Sequence, residues 1–255
     1  MATGTPAASH AEPVMGTVVS FAVVPGGQSG RAVAEAIGAA CAALHQADAI
    51  FSTFDPHSPV SRLRRGAARL GDLPAEVAEV LELCAGARQA SGGWFDPWAI
   101  PAGVDPTGLV KGWAVEQALA VLREAGMAAA MVNGGGDIAV FGAPAPGQAW
   151  RAGIGHPWRP GALAAILEVT AAVATSGSYE RGPHLLSPFT GQPASRAASA
   201  TITGPSLALA DALATALAVG GDEVLGIVAG LDGYAGYLIR PDGSEAHTPG
   251  TTFVS

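Results

Sequence analysis

DPTGLVKGWAVEQALAVLREAGMAAAMVNGGGDIAVF, residues 105–141, changes its hydrophobic period halfway along, and that change decides the fold class. Val115, Ala118, Leu119 and Leu122 recur at helical spacing and predict an amphipathic helix that stops near Gly126, after a loop over residues 104–111. Residues 129–132 and 138–141 are short apolar runs, which predict strands on either side of a loop at 133–137. The same alternation continues outward. Upstream, 18–24 reads as a strand ended by Pro25, Gly26 and Gly27, and 31–51 as a long helix with Ser29 as its N-cap. Residues 52–61 read as a loop, and Asp72 and Pro74 open another helix that Gly92 and Gly93 close. Downstream, 150–154, 164–174 and 198–203 read as β, 205–219 and 222–231 as helices, and 234–240 as a last strand before the turn Pro241-Asp242-Gly243. The class is therefore α/β or α+β.

The chain has 255 residues, 49% hydrophobic and only 13% charged, with 35 Gly and 19 Pro, which excludes a disordered polymer. Its length is enough for a core without disulfides or structural metals. We expect a loose tail over residues 1–13 and one two-lobed unit over 14–255. A formal net charge of −8 removes the broad positive field that nucleic acid or an anionic membrane requires. The first fourteen residues hold no Lys or Arg and no apolar run, so they do not resemble a secretory signal, and a cytoplasmic location is the expectation. The most apolar stretch, 206–219, is shorter than a membrane span and carries Asp211, so no membrane insertion is expected. Cys41 and Cys84 lie in separate Ala-rich helical stretches and read as buried thiols, with neither the number nor the spacing of a zinc site.

Asp211 and Thr215 stand four apart in ADALATAL, so a helix puts a carboxylate and a hydroxyl on one face. Both are hard oxygen donors of the kind Mg²⁺ takes beside a phosphate, although a helical Asp and Thr with local hydrogen bonds have the same spacing. Lys111 is the only lysine, the other twelve basic residues being Arg; it suits a phosphate or a ring, or is a surface residue. Asn133, the only asparagine, opens NGGGD, which serves either a close backbone approach to a ligand or a tight turn between strands. Residues 175–191 concentrate hydroxyls, Arg181 and His184 in one loop, where His184 suits either a general base or structural hydrogen bonds. No G-x-S-x-G pattern is present, which argues against a nucleophilic serine, and His57 reads as a loop residue.

Met15-Gly16-Thr17, FSTFDPHSPVSRL (51–63), SGGWFDP (91–97), DPTGLVKGWAVEQAL (105–119), VNGGGDI (132–138), TSGSYER (175–181) with HLLSPFTGQP (184–193), and ADALATAL (210–217) stand in one order. Together they resemble the ApbE family of FAD:protein FMN transferases over residues 14 to about 240. The resemblance implies an α/β (α+β) fold of two lobes, with mixed sheets flanked by helices and a cleft between the lobes. It also implies a Mg²⁺-dependent reaction in which FAD is split, FMN is joined by a phosphoester to a Thr or Ser of an acceptor protein with an FMN-binding domain, and AMP leaves.

By the same resemblance, Asp211 and Thr215 would bind Mg²⁺ by side chain and Gly108 and Ala214 by backbone carbonyl. Met15, Phe54, Trp94, Phe95, Asp96, Asp105, Lys111 and Leu185 would contact FAD, with Lys111 beside the diphosphate. His184, Asp211 and Lys111 would be the catalytic set, with Asp96 and Asp105 competing with His184 as the base. Departures from the family pattern are Phe54 for Tyr, Arg62 for an acidic residue, Glu116 for Asp, Ser187 for Asp and the stiff Pro106-Thr107. The alternatives are a Mg²⁺-dependent FAD pyrophosphatase yielding FMN and AMP, and a protein that binds FAD without turning it over. Family members often act outside the cytoplasm.

Overall fold

A computed structural model describes residues 8–99, 103–177, 185–194 and 196–254. Its strands are β1 (Ala8–Val14), β2 (Thr17–Val24), β3 (Ala129–Gly134), β4 (Asp137–Phe141), β5 (Trp150–Gly155), β6 (Leu163–Val169), β7 (Ala172–Ser176), β8 (Ser199–Gly204), β9 (Ala235–Ile239) and β10 (Glu245–His247). Its helices are α1 (Gly30–Phe51), α2 (Pro59–Arg64), α3 (Ala75–Ala90), α4 (Thr107–Glu124), α5 (Leu207–Gly220) and α6 (Asp222–Val228). Eight strands form one sheet in the order β1-β2-β3-β4-β7-β8-β9-β10, and β5 and β6 form a separate hairpin.

The register explains where a site can form. Val24 at the end of β2 pairs with Ala129 at the start of β3, and Thr203 in β8 pairs with Ala235 at the start of β9. Each helical excursion, 25–128 and 205–234, therefore leaves and re-enters the sheet at the same end. The mixed sheets of the sequence reading are corrected accordingly: every pairing among the described strands is antiparallel. The opposite end of the sheet carries the β1–β2 tip, the β3–β4 tip and the end of β7.

Helices cover one face of the sheet and the β5–β6 hairpin covers the other. Because side chains alternate along a strand, Ala130 and Val132 face the helical core while Ala129 faces the hairpin core with Val140, Trp150, Leu167 and Tyr237. Helix α1 begins at its predicted cap, where Ser29 Oγ accepts the Ala32 N–H at 3.2 Å, and it buries a stripe running from Val33 to Phe51. Helix α5 is the innermost, with every residue buried except Leu209 and Thr215. Full burial of side chains such as Leu213 and Leu217 contributes about 1.5–3 kcal/mol each.

Four expectations change. The tail predicted over 1–13 gives way at Ala8, because 8–14 pairs along its whole length with β2 as an edge strand, the one setting that admits Pro13. The predicted loop 104–111 is helical from Thr107, since Asp105 Oδ1 accepts both the N–H and the hydroxyl of Thr107, at 3.1 and 2.7 Å, and starts the turn. The predicted loop 52–61 contains the start of α2, where Ser58 caps the Ser61 N–H at 3.1 Å and Pro59 occupies the first turn. The single β run 164–174 is split between two sheets by a bend after Val169.

Candidate functional site

The tip end of the sheet opens into a cavity of about 650 Å³. Three tips form its floor. Met15, φ 52°, is the one non-glycine with positive φ among the described residues, and its N–H donates to Asp48 Oδ2 on α1 at 3.3 Å. In the β3–β4 tip, Asn133 Oδ1 accepts the Gly136 N–H at 2.7 Å, so Asn133 serves the turn. Gly135 there has φ 65°, and a Cβ on it would stand 2.6 Å from Thr17 Oγ1, so the two tips touch. Thr175, Ser176 and Gly177 supply the third tip.

Helices α4 and α5 form the polar wall. They cross closely enough that a Cβ on Gly112 would lie 2.6 Å from the Leu207 carbonyl oxygen. The Gly112 N–H donates at 3.3 Å to Oδ2 of Asp211, which is 4% exposed and lines the cavity. One turn on, Thr215 Oγ1 lies 3.4 Å from Ser176 Oγ, and a Cβ on Gly108 would come within 3.5 Å of that same hydroxyl. Asp211, Thr215 and Ser176 thus line the cavity together as hard oxygen donors of the kind that suits Mg²⁺, with the Gly108 backbone beside Thr215. Lys111, one turn into α4, is ion-paired with Asp137, whose side chain is 1% exposed and whose Oδ1 accepts the Thr175 N–H at 3.0 Å. The ammonium is thereby held over the tips.

The crossing is fixed from behind by Glu116, which accepts the Leu207 N–H at the start of α5. Burial raises its carboxyl above the usual range, against the lowering effect of the helix N–H groups.

The apolar wall comes from Phe51, Trp94 and Phe95, with Phe54 at the rim, 95% exposed. Trp94 is held edge-on to Phe189 with ring centroids 4.9 Å apart, under the Arg196 guanidinium at 5.2 Å. The Asp96 carboxylate pairs with Arg88 at 2.8 Å and accepts the Trp98 N–H at 2.9 Å. Asp105 starts α4 and lies 3.8 Å from Arg64, so both acids named as alternative bases already serve as acceptors for neighbours.

Of the residues singled out in the sequence, Met15, Phe54, Trp94, Phe95, Asp96, Asp105, Gly108, Lys111, Leu185, Asp211 and Thr215 line this cavity. Ala214 is fully buried inside α5 and does not line it. His184 lies outside the described residues. The sequence reading missed Asp48, Asp137 and Ser176. For Asp137 a signal existed, since a lone lysine calls for a counterion and VNGGGDI offers an acid beside a chain reversal.

The ApbE family matches this chain over residues 15–103 and 100–238. Among curated proteins, the FAD:protein FMN transferase of Rhodobacter capsulatus is 36% identical over 149 residues, covering 54% of this chain and 28% of that protein. The FAD:protein FMN transferase of Salmonella typhimurium is 30% identical over 156 residues, covering 57% of this chain and 45% of that protein. The matches thus span less than half the length of either relative. Among solved structures, the flavin transferase ApbE from Vibrio cholerae superposes with a TM-score of 0.80 at 21% identity, over 96% of this chain and 98% of that one. The apo form of the Pseudomonas stutzeri flavinyl transferase ApbE gives 0.80 at 24% identity, over 95% and 94%. These likenesses establish an α+β fold shared with both.

Proposed function

The chain belongs to the ApbE family, and on that footing we propose that it is a flavin transferase. It splits the diphosphate of FAD, attaches FMN through a phosphoester to a Thr or Ser hydroxyl of an acceptor protein carrying an FMN-binding domain, and releases AMP. One observation carries the reading: the described fold gathers Asp211, Thr215 and Lys111 at one end of a cavity whose other wall is aromatic. Its volume of about 650 Å³ lies in the range of cofactor sites.

Phosphoryl transfer asks little covalent chemistry of a protein, so positioning and charge neutralisation dominate. Asp211, Thr215 and the Gly108 carbonyl would hold Mg²⁺, with Ser176 alongside; bound there, the ion supplies Lewis-acid neutralisation of the diphosphate charge. Lys111 brings an ammonium to the same phosphates, and the Asp137 pair fixes where it points. Phe95 and Phe54 offer ring faces and edges to the isoalloxazine and adenine. We keep His184 as the base that takes the acceptor proton, on the sequence resemblance alone.

The test mixes the purified protein with FAD, Mg²⁺ and an FMN-binding domain bearing an acceptor Thr, and follows the domain's mass and AMP. A mass gain equal to FMN less one water, with one AMP per label, is expected, and Asp211→Asn should abolish it at saturating Mg²⁺. AMP with free FMN and no label would replace the transferase by a pyrophosphatase. Intact bound FAD without AMP would leave a binding protein.

A further inference from the structure

Away from the cavity, the pairing of β1 with β2 and the packing of α1 against β1 gather four metal-binding side chains. His10 and Glu12 lie on one face of β1, two residues apart, while Cys41 and His45 lie one turn apart on α1. A nitrogen of His10, a carboxylate oxygen of Glu12 and the Cys41 sulfur all lie within 4.8 Å of one another. His10 Nε2 is 3.0 Å from Glu12 Oε2, and His45 Nε2 is 2.8 Å from Oε1 of the same carboxylate. The Cys41 thiol that completes this cluster is 8% exposed. We infer that His10, Glu12 and Cys41 form a binding site for a zinc-class divalent cation that ties β1 to α1, with His45 holding the second oxygen of Glu12.

The chemistry of the donors selects the ion. One thiolate, one imidazole and one carboxylate are a borderline-soft set that suits Zn²⁺, with a water in the fourth position, and suits Mg²⁺ poorly. Around a tetrahedral zinc, neighbouring donors stand about 3.3–3.8 Å apart, as bonds of about 2.0–2.3 Å require. The three clustered donors reach that spacing by closing about an ångström, which the exposed His10 and half-buried Glu12 can do by rotation. Cys41 is anchored by the core and His10 is steadied by Phe21, its cross-strand partner, at 6.0 Å between ring centroids. A single carboxylate needs no more than one partner for stability; two imidazoles and a thiol converging on it are a ligand arrangement. The two cysteines gave no zinc spacing in the sequence because the other donors come from a strand about thirty residues earlier.

An ion here would fasten an edge strand that otherwise holds only one neighbour. Glu12 stands three residues before Met15, whose N–H meets Asp48 on the same α1 helix at the cavity floor. The clip therefore bears on the β1–β2 tip without joining the catalytic cavity.

The experiment titrates the chelator-treated full chain with Zn²⁺ against a chromophoric chelator, and with Co²⁺ as spectroscopic probe. One equivalent of tightly bound zinc is expected, with tetrahedral cobalt d–d bands and a thiolate-to-cobalt charge-transfer band. Loss of even an outer-sphere partner costs about 10–100-fold, so Cys41→Ser and His10→Gln should each weaken zinc by at least about 100-fold. His10→Gln is a surface change and decides the matter should Cys41→Ser fail to fold. Asp211→Asn should keep the cobalt thiolate band. No stoichiometric zinc, affinity unchanged by His10→Gln, or a cobalt spectrum without thiolate character would each overturn the site, as would loss of the band in Asp211→Asn.

Discussion

Gly112→Ala tests whether the spacing of α4 and α5 sets the chemistry. A Cβ at that position would lie 2.6 Å from the Leu207 oxygen, 2.8 Å from its carbonyl carbon and 2.9 Å from Ala208 Cα. All three atoms are backbone, so no rotamer relieves the clash. Restoring an ordinary contact near 3.4 Å requires the helices to separate by 3.4 − 2.6, about 0.8 Å. Overpacking of this kind costs about 1–3 kcal/mol, and the helical preference of Ala over Gly returns about 1, leaving a net loss of about 0–2 kcal/mol. The catalytic cost should be larger than the stability cost. Lys111 rides on α4 and Asp211 on α5, and displacement of about 1 Å in such a constellation lowers rates by about 100-fold. We expect kcat/KM for AMP release to fall by about 10–100-fold while the protein stays folded at assay temperature. Gly38→Ala and Gly86→Ala are the controls. Nothing lies within 4 Å of a Cβ at either exposed helical position, and each should gain about 0.5–1 kcal/mol in denaturant unfolding. Wild-type stability and turnover in Gly112→Ala would refute the close crossing as the determinant of site geometry.

Three further outcomes are expected. Asp137→Asn keeps the hydrogen bond from Thr175 but removes the buried charge facing Lys111; unfolding should fall by about 2–3 kcal/mol, less than for a fully buried pair because the ammonium is 27% exposed, and KM for FAD should rise. Burial pushes the Cys84 thiol up to about 12, so at pH 8 alkylation of the native protein should leave Cys84 unmodified, with reactivity rising as pH approaches that value or as the chain unfolds; rapid native labelling would contradict its packing. Phe54→Ala should leave the melting temperature unchanged, since the ring is 95% exposed, yet weaken FAD by about 0.5–1.5 kcal/mol in a flavin fluorescence titration, and an unchanged Kd would remove Phe54 from the flavin contact.

Much of the fold was legible because period and capping are local. The long stripe of α1 and its Ser29 cap, the strand pairs around the NGGGD turn and the apolar α5 follow from spacing that neighbouring residues carry. What spacing does not carry is partnership. Residues 163–176 form an almost continuous apolar run, so nothing local told that β6 leaves the main sheet and β7 enters it. Residues 8–14 are polar and contain Pro13, and only pairing with β2 makes them a strand. The site shows the same division. Asp211 and Thr215 share one helix and were visible as a pair, Lys111 stood out as the lone lysine, and Gly108 came only with the family resemblance. Asp137, Asp48 and Ser176 join them only across elements, and Cys41 meets His10 and Glu12 only once β1 lies beside α1.

The common exit and entry of both helical excursions at one end of the sheet has a consequence for how the molecule tolerates change. Chain length can vary where 25–128 and 205–234 leave their strands, because those junctions sit a full strand length from the cavity. The tips at Met15 and Gly135 have no such freedom: each is two residues deep, and a Cβ on Gly135 would already strike Thr17. Random insertion libraries should therefore sort by which end of the sheet they enter, with active clones at the helix junctions and inactive, well-folded ones at the tips.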